Sequence, residues 1–228
     1  MPEKYNMANR IFCIIPAYNE ENNIGLVVDQ VLPFVENIVV VDDGSSDRTG
    51  MIAKSKKAIV VTHLLNRGQG AALQTGTELS IKMGADILVH FDADGQFLAN
   101  EIPEIVFPIA SNGFQAVIGS RFLEKKSKLP ALKRYFIFPL ARIFNRIFYK
   151  LNYTDPQCGF RALSREAAKL IKIEQDGMAH CSEILIKIDR NKLKVKEVAV
   201  SVRYIGFGQN LSGGLNIIKD LFLSKLLK

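Results

Sequence analysis

What most constrains this chain is a rhythm in its first half. Ile11–Ile15, Ile38–Val41, Ala58–Thr62 and Ile87–Phe91 are short apolar runs rich in β-branched residues, the pattern of strands buried on both faces. Stretches of helical spacing lie between them: Asn22–Leu32, stopped near Pro33; Asp47–Lys56, with Ser46 or Asp47 as its cap; and Gly70–Met83, stopped by Gly84. Another helix is expected from near Asn100, with Pro103 in its first turn, and a fifth strand over Ala116–Ile118 ends in Gly119, Ser120 and Arg121. The order βαβαβαβ predicts an α/β fold with a mostly parallel central sheet flanked by helices. Ligands of such sheets lie beyond the carboxyl ends of the strands. Those ends are Pro16–Glu20, Asp42–Asp47, His63–Gly70 and Asp92–Gln96, each a polar cluster directly after an apolar run, so they predict a single crevice.

The 228 residues are 48% hydrophobic, enough for one core, and the expected organisation is one domain over 1–228 with appendages. The second half is less regular. It holds a basic aromatic segment to Leu151, a turn-rich stretch Thr154–Phe160, a helix near Ser182–Asn191 and a strand within Lys194–Val202, for which mixed pairing is expected. The longest uncharged stretches, Ile105–Ser120 and Tyr204–Ile218, are interrupted by Pro108 or by glycines, so neither reads as a membrane span. The N-terminus shows no secretory pattern, and the cytoplasm is the expected compartment. Cys13, Cys158 and Cys181 lack the spacing of a zinc site and read as reduced and structural; His63, His90 and His180 likewise lack metal-ligand spacing.

The net charge of +7 is concentrated: Lys125–Thr154 carries eight basic residues and no acidic one. Such a block suits nucleic acid, an anionic membrane surface or a phosphorylated substrate. Within 129–151, Phe136, Leu140, Ile143, Ile147 and Leu151 recur at helical spacing beside a row of Arg142, Arg146 and Lys150. By periodicity alone this is equally a membrane-interface element and a core helix with a solvated basic face. The end, 213–228, has the pattern of a short amphipathic helix.

Chemistry concentrates in two clusters. Asp92, Asp94 and Gln96 follow a strand at once, and their hard oxygens suit Mg2+ or Mn2+ bridged to a pyrophosphate. An Asp-x-Asp-Gly run also reads as a plain turn. Asp42 and Asp43 end another buried strand, where adjacent acids are costly without donors to satisfy them. A nucleotide's base could supply such a donor.

Six stretches stand in the order found in glycosyltransferase family 2, within its dolichyl-phosphate mannose synthase-like branch of polyprenyl-phosphate glycosyltransferases. They are Ile14–Glu20, Val41–Ser45, Asn66–Gly70, Asp92–Gln96, Gly119–Arg121 and Thr154–Arg161, and the chain resembles that branch over nearly its whole length. The resemblance implies a GT-A fold and an inverting, metal-dependent transfer of a sugar from a GDP-mannose or UDP-glucose type donor to a polyprenyl (dolichyl-like) phosphate. It implies nucleotide-sugar contacts from Pro16, Tyr18, Glu20, Asp42, Asp43, Asn66, Gly68 and Asp92, and a metal cluster of Asp92, Asp94 and Gln96. Arg121 and Arg161 resemble positions that face phosphates, and Arg203 is a further candidate. Asp155 is the candidate base if the acceptor is a sugar hydroxyl, and a positioning residue if the acceptor is a phosphate, whose oxygen is already anionic. Gln69 stands where many relatives carry lysine. The expected place of action is the cytoplasmic membrane face, with peripheral contact and no nucleic acid. Alternatives are a family 2 enzyme extending a saccharide or glycolipid, and a nucleotide-binding protein without catalysis.

Overall fold

The computed structural model describes residues 9–123 and 153–203. Segments 129–151 and 213–228, expected to be amphipathic, lie outside the described residues. The elements are β1 (Ile11–Ala17), α1 (Ile24–Val31), β2 (Asn37–Asp42), α2 (Thr49–Ser55), β3 (Ile59–Thr62), α3 (Gln69–Lys82), β4 (Ile87–His90), α4 (Ile102–Asn112), β5 (Ala116–Ser120), β6 (Arg161–Ser164), α5 (Arg165–Leu170), α6 (His180–Arg190) and β7 (Val195–Ala199).

The strands form one seven-stranded sheet in the order β3-β2-β1-β4-β6-β5-β7. Every pairing is parallel except those of β6, which runs antiparallel to both β4 and β5. Because successive strand side chains point to opposite faces, β1 divides its residues between two cores. Cys13 and Ile15 pack with Val27 and Val28 of α1 and Ile105 of α4. Phe12 and Ile14 pack with Leu73 of α3 and Ile184 and Leu185 of α6. Helices therefore cover both faces, as the continuous apolar runs require.

The five expected strands and four expected helices of the first half are present. The structure departs from the sequence expectation in two places. β6 and α5 were not expected: Arg161-Ala162-Leu163-Ser164 is too short and too polar at its ends to carry a strand signal, and tertiary pairing makes it one. At α2 the N-cap position is Arg48, although Asp47 does the capping chemistry, its Oδ1 accepting from the Thr49 amide at 2.9 Å. The mixed pairing expected of the second half is supplied by β6.

Candidate active site

All four polar strand ends meet at one edge of the sheet. On the β1–β2 side the loops are stitched together by short side chains. The Asn19 amide, in a left-handed residue (φ 56°), donates to Ser45 Oγ at 2.9 Å, and Asn19 Oδ1 accepts from the Ser46 amide at 2.9 Å. The Glu20 amide donates to Thr49 Oγ1 at 2.8 Å, while Glu20 Oε2 accepts from Asn23 Nδ2 at 2.8 Å. Pro16 is buried in β1, whereas Tyr18 and Asn66 are exposed on the crevice loops.

The two adjacent acids are satisfied within the protein. Asp42 Oδ1 accepts from the Ser45 amide at 3.0 Å. Asp43, 2% exposed, accepts from His63 Nδ1 at 2.6 Å, from the Arg67 amide at 3.0 Å and from the Gly68 amide at 2.6 Å. Asp43 thus finds its donors in the β3–α3 loop, and Asp42 finds one in the loop that follows β2. Asp43 is placed to fix the entrance of α3. His63, which lacks metal-ligand spacing in the sequence, completes this arrangement with its other ring nitrogen 2.9 Å from Thr75 Oγ1.

Beyond β4 lie Asp92, Asp94 and Gln96. Burial, with the neighbouring Asp94 carboxylate, pushes Asp92 up to about 7. Burial also raises Asp94, whose Oδ1 accepts from the Gln96 amide at 2.9 Å. Two carboxylates made costly in this way are what a divalent cation relieves. Among the described residues no group of three or more His, Cys, Asp or Glu is placed to surround a metal ion. Mg2+ is commonly held by one or two carboxylates, with its other positions left to water and phosphates. The donor set fits, with Asp92, Asp94 and the Gln96 amide oxygen as the residues that would hold the ion.

Two neighbours of Asp92 stand in motifs of the sequence but were not among its candidate site residues. Gln69 Nε2 donates to Asp92 Oδ1 at 2.8 Å. Gly159 passes so close that a Cβ there would lie 2.7 Å from Asp92 Oδ2. Arg203 also reaches this corner through its backbone, its amide donating to Gln96 O at 2.8 Å.

The third wall is built by Arg121 and Asp155. Asp155, 1% exposed, is gripped by the Arg121 guanidinium, with Nε to Oδ2 at 2.6 Å and Nη2 to Oδ1 at 2.7 Å; the Arg121 amide adds a bond of 3.0 Å to Oδ2. Thr154 is held through Glu197 Oε1, which accepts from the Thr154 amide at 2.8 Å and from its hydroxyl at 2.7 Å. Ser120 Oγ must then be the donor to Thr154 Oγ1 at 2.6 Å.

Arg161 departs from its expected place. It is 1% exposed, inside the fold, with Nη2 donating to Cys158 O at 2.5 Å and to Cys181 Sγ at 3.4 Å, while its Nε and Nη1 are buried without a partner among the described residues. His180 Nε2 lies 3.4 Å from the same sulfur. Burial alone would push the Cys181 thiol up, but the charges of His180 and Arg161 bring it down to about 6.

The Glycosyl transferase family 2 model matches residues 12–171. The UDP-N-acetylglucosamine–dolichyl-phosphate N-acetylglucosaminyltransferase of Methanococcus voltae is 34% identical over 96% of this chain and 97% of its own. The polyprenol monophosphomannose synthase of Mycolicibacterium smegmatis is 29% identical over 97% of this chain and 88% of its own. Among solved structures, glucosyl-3-phosphoglycerate synthase of Mycobacterium tuberculosis, crystallised with Mn2+, UDP and glucosyl-3-phosphoglycerate, matches with a TM-score of 0.72 at 23% identity, over 94% of this chain and 79% of that one. The likeness shows the shared fold, the GT-A arrangement expected from the sequence.

Proposed function

Because the chain belongs to glycosyl transferase family 2, we propose that it transfers a sugar, with inversion, from a nucleoside-diphosphate donor to a polyprenyl-type phosphate. The two relatives named for dolichyl-phosphate and polyprenol products support this class of acceptor. The observation that carries the choice is the state of Asp155: both its oxygens are occupied by Arg121, so it holds that guanidinium instead of standing free to take a proton. A saccharide hydroxyl would need a base; a phosphate oxygen does not. Holding an anionic acceptor against an anionic donor needs an oriented cation, and a bidentate carboxylate is a firm way to orient arginine.

Asp92, Asp94 and Gln96 offer oxygens to a divalent ion, which when bound offsets the charge that develops on the leaving pyrophosphate. Asp43 sets the entrance of α3 beside this corner. No helix among the described residues is long and apolar enough to cross a membrane. Contact with a membrane surface belongs to the proposal, and its support is the basic aromatic composition of 129–151.

The test is release of nucleoside diphosphate from UDP-N-acetylglucosamine, UDP-glucose and GDP-mannose, with Mn2+, Mg2+ or a chelator, with and without a short-chain polyprenyl phosphate. Turnover that requires the metal, one donor and the lipid phosphate is the expected result. Turnover onto saccharides without lipid phosphate would return Asp155 to the role of base, and binding of nucleotide without any turnover would leave a non-catalytic protein.

A further inference from the structure

We propose that Gln69 is a positioning residue for Asp92, anchoring one of its carboxylate oxygens to the first turn of α3 through a neutral amide that leaves the carboxylate's charge to the metal. The inference rests on the reading of Asp92 as a metal ligand.

The backbone on both sides of Gln69 is pinned. The Gly68 amide is held by Asp43 Oδ2 at 2.6 Å, and the Gly70 amide by Asp176 O at 2.8 Å. Gly68 itself has φ 101°, and a Cβ there would collide with Asp176 O, so this entry to the helix is open only to glycine. The Gln69 side chain therefore starts from a fixed Cα and reaches Asp92 Oδ1 at 2.8 Å. On its other side the Asp92 carboxylate abuts Gly159, where a Cβ would fall 2.7 Å from Oδ2. Among the described residues Asp94, by contrast, is bonded within its own turn, Oδ1 accepting from the Gln96 amide at 2.9 Å. Asp92 is thus the member of the pair whose direction is set from outside, and the setting runs from Asp43 through Gly68 and Gln69.

The amide brings a donor without a charge; an ammonium in this place could hold the same oxygen. Partners that orient metal ligands change affinity by about tenfold or more when removed.

The test uses the full chain and reads Mn2+ binding from the electron paramagnetic resonance of free Mn2+, with and without UDP, in the wild type and in Gln69→Leu, Gln69→Lys and Asp92→Asn. The expected result is about tenfold weaker Mn2+ binding in Q69L and a smaller loss in Q69K, whose ammonium can still hold the oxygen. The Mn2+ concentration for half-maximal turnover should rise in parallel while kcat at saturating Mn2+ changes less. Q69L binding Mn2+ within about twofold of wild type would overturn the proposal; if Q69L fails to fold, the same result in Gln69→Ala does so. If Asp92→Asn binds Mn2+ as the wild type does, the fault lies in the metal reading of Asp92 and not in the part given to Gln69.

Discussion

Gly159→Ala is the sharpest test of how tightly the proposed metal corner around Asp92 is built. The new Cβ would stand 2.7 Å from Asp92 Oδ2, 3.0 Å from Oδ1 and 3.2 Å from Cγ. Carbon and oxygen in close contact sit about 3.3 Å apart, so one of the two must give by roughly 0.6 Å. Gly159 has a φ that any residue adopts, so there is no backbone strain to add. The carboxylate cannot retreat freely, because Gln69 Nε2 holds Oδ1 at 2.8 Å. A misplacement of 1 Å at a reacting centre can cost about 100-fold in rate, so a shift of this size should cost about tenfold or more. Overpacking of this kind costs about 1–3 kcal/mol of stability, which makes thermal melting a necessary companion measurement. The assay is nucleoside-diphosphate release as a function of Mn2+. We expect folded G159A with reduced kcat and a raised Mn2+ requirement. Folded G159A with kcat and Mn2+ dependence within about twofold of wild type would refute the claim that Asp92 is held in a fitted slot.

Asp155→Asn should lower turnover on a lipid phosphate by about tenfold and raise the acceptor KM, because Arg121 loses its bidentate partner; a loss of about 1,000-fold or more, with one limb of the pH–rate profile gone, would instead mark a general base. Asp43→Ala strands the amides of Arg67 and Gly68 and the ring of His63, and should cost about 3 kcal/mol in denaturant unfolding; a change below about 0.5 kcal/mol would contradict its anchoring role. Burial raises the thiols of Cys13 and Cys158, while Cys181 comes down to about 6 against the charges of His180 and Arg161. Ultraviolet thiolate absorption should therefore report one thiolate at neutral pH, fading as pH falls through about 6 and absent in Cys181→Ser. A native protein without that signal would show the proton resting on sulfur.

The alternation of apolar runs with helical spacing made the sheet legible as far as β5, because strands buried on both faces must be apolar throughout. It also located the crevice, since polar clusters directly after such runs can only lie at their carboxyl ends. The direction of the side chains there was not legible. Asp43 and Asp92 look equivalent in sequence, yet Asp43 turns into the β3–α3 loop and Asp92 toward Gln69 and Gly159. Gly159 was invisible as a site residue because its contribution is the absence of an atom. Arg161 is assigned to a phosphate by the family resemblance alone; its burial depends on β6, which the sequence hid.

β6 explains why residues 154–161 divide between site and interior. Six strands of the sheet are mutually aligned, and their carboxyl ends face the crevice; β6 alone runs against them, between β4 and β5. The edge that parallel strands reach last is the one at which β6 begins. The turn entering β6 therefore supplies Asp155 to Arg121 and the Gly159 backbone to Asp92 before the strand proper starts. Arg161 is the first residue of that strand and pairs with His90, the last residue of β4, so it already lies inside the sheet with Cys181 and His180 packed over it. A parallel strand with the same residues would carry its loop to the far edge. The antiparallel insertion is what brings a motif from the second half of the chain against Asp92, with Arg161 inside the sheet and Arg121, one strand over, in the place where the proposed function needs a cation for the acceptor.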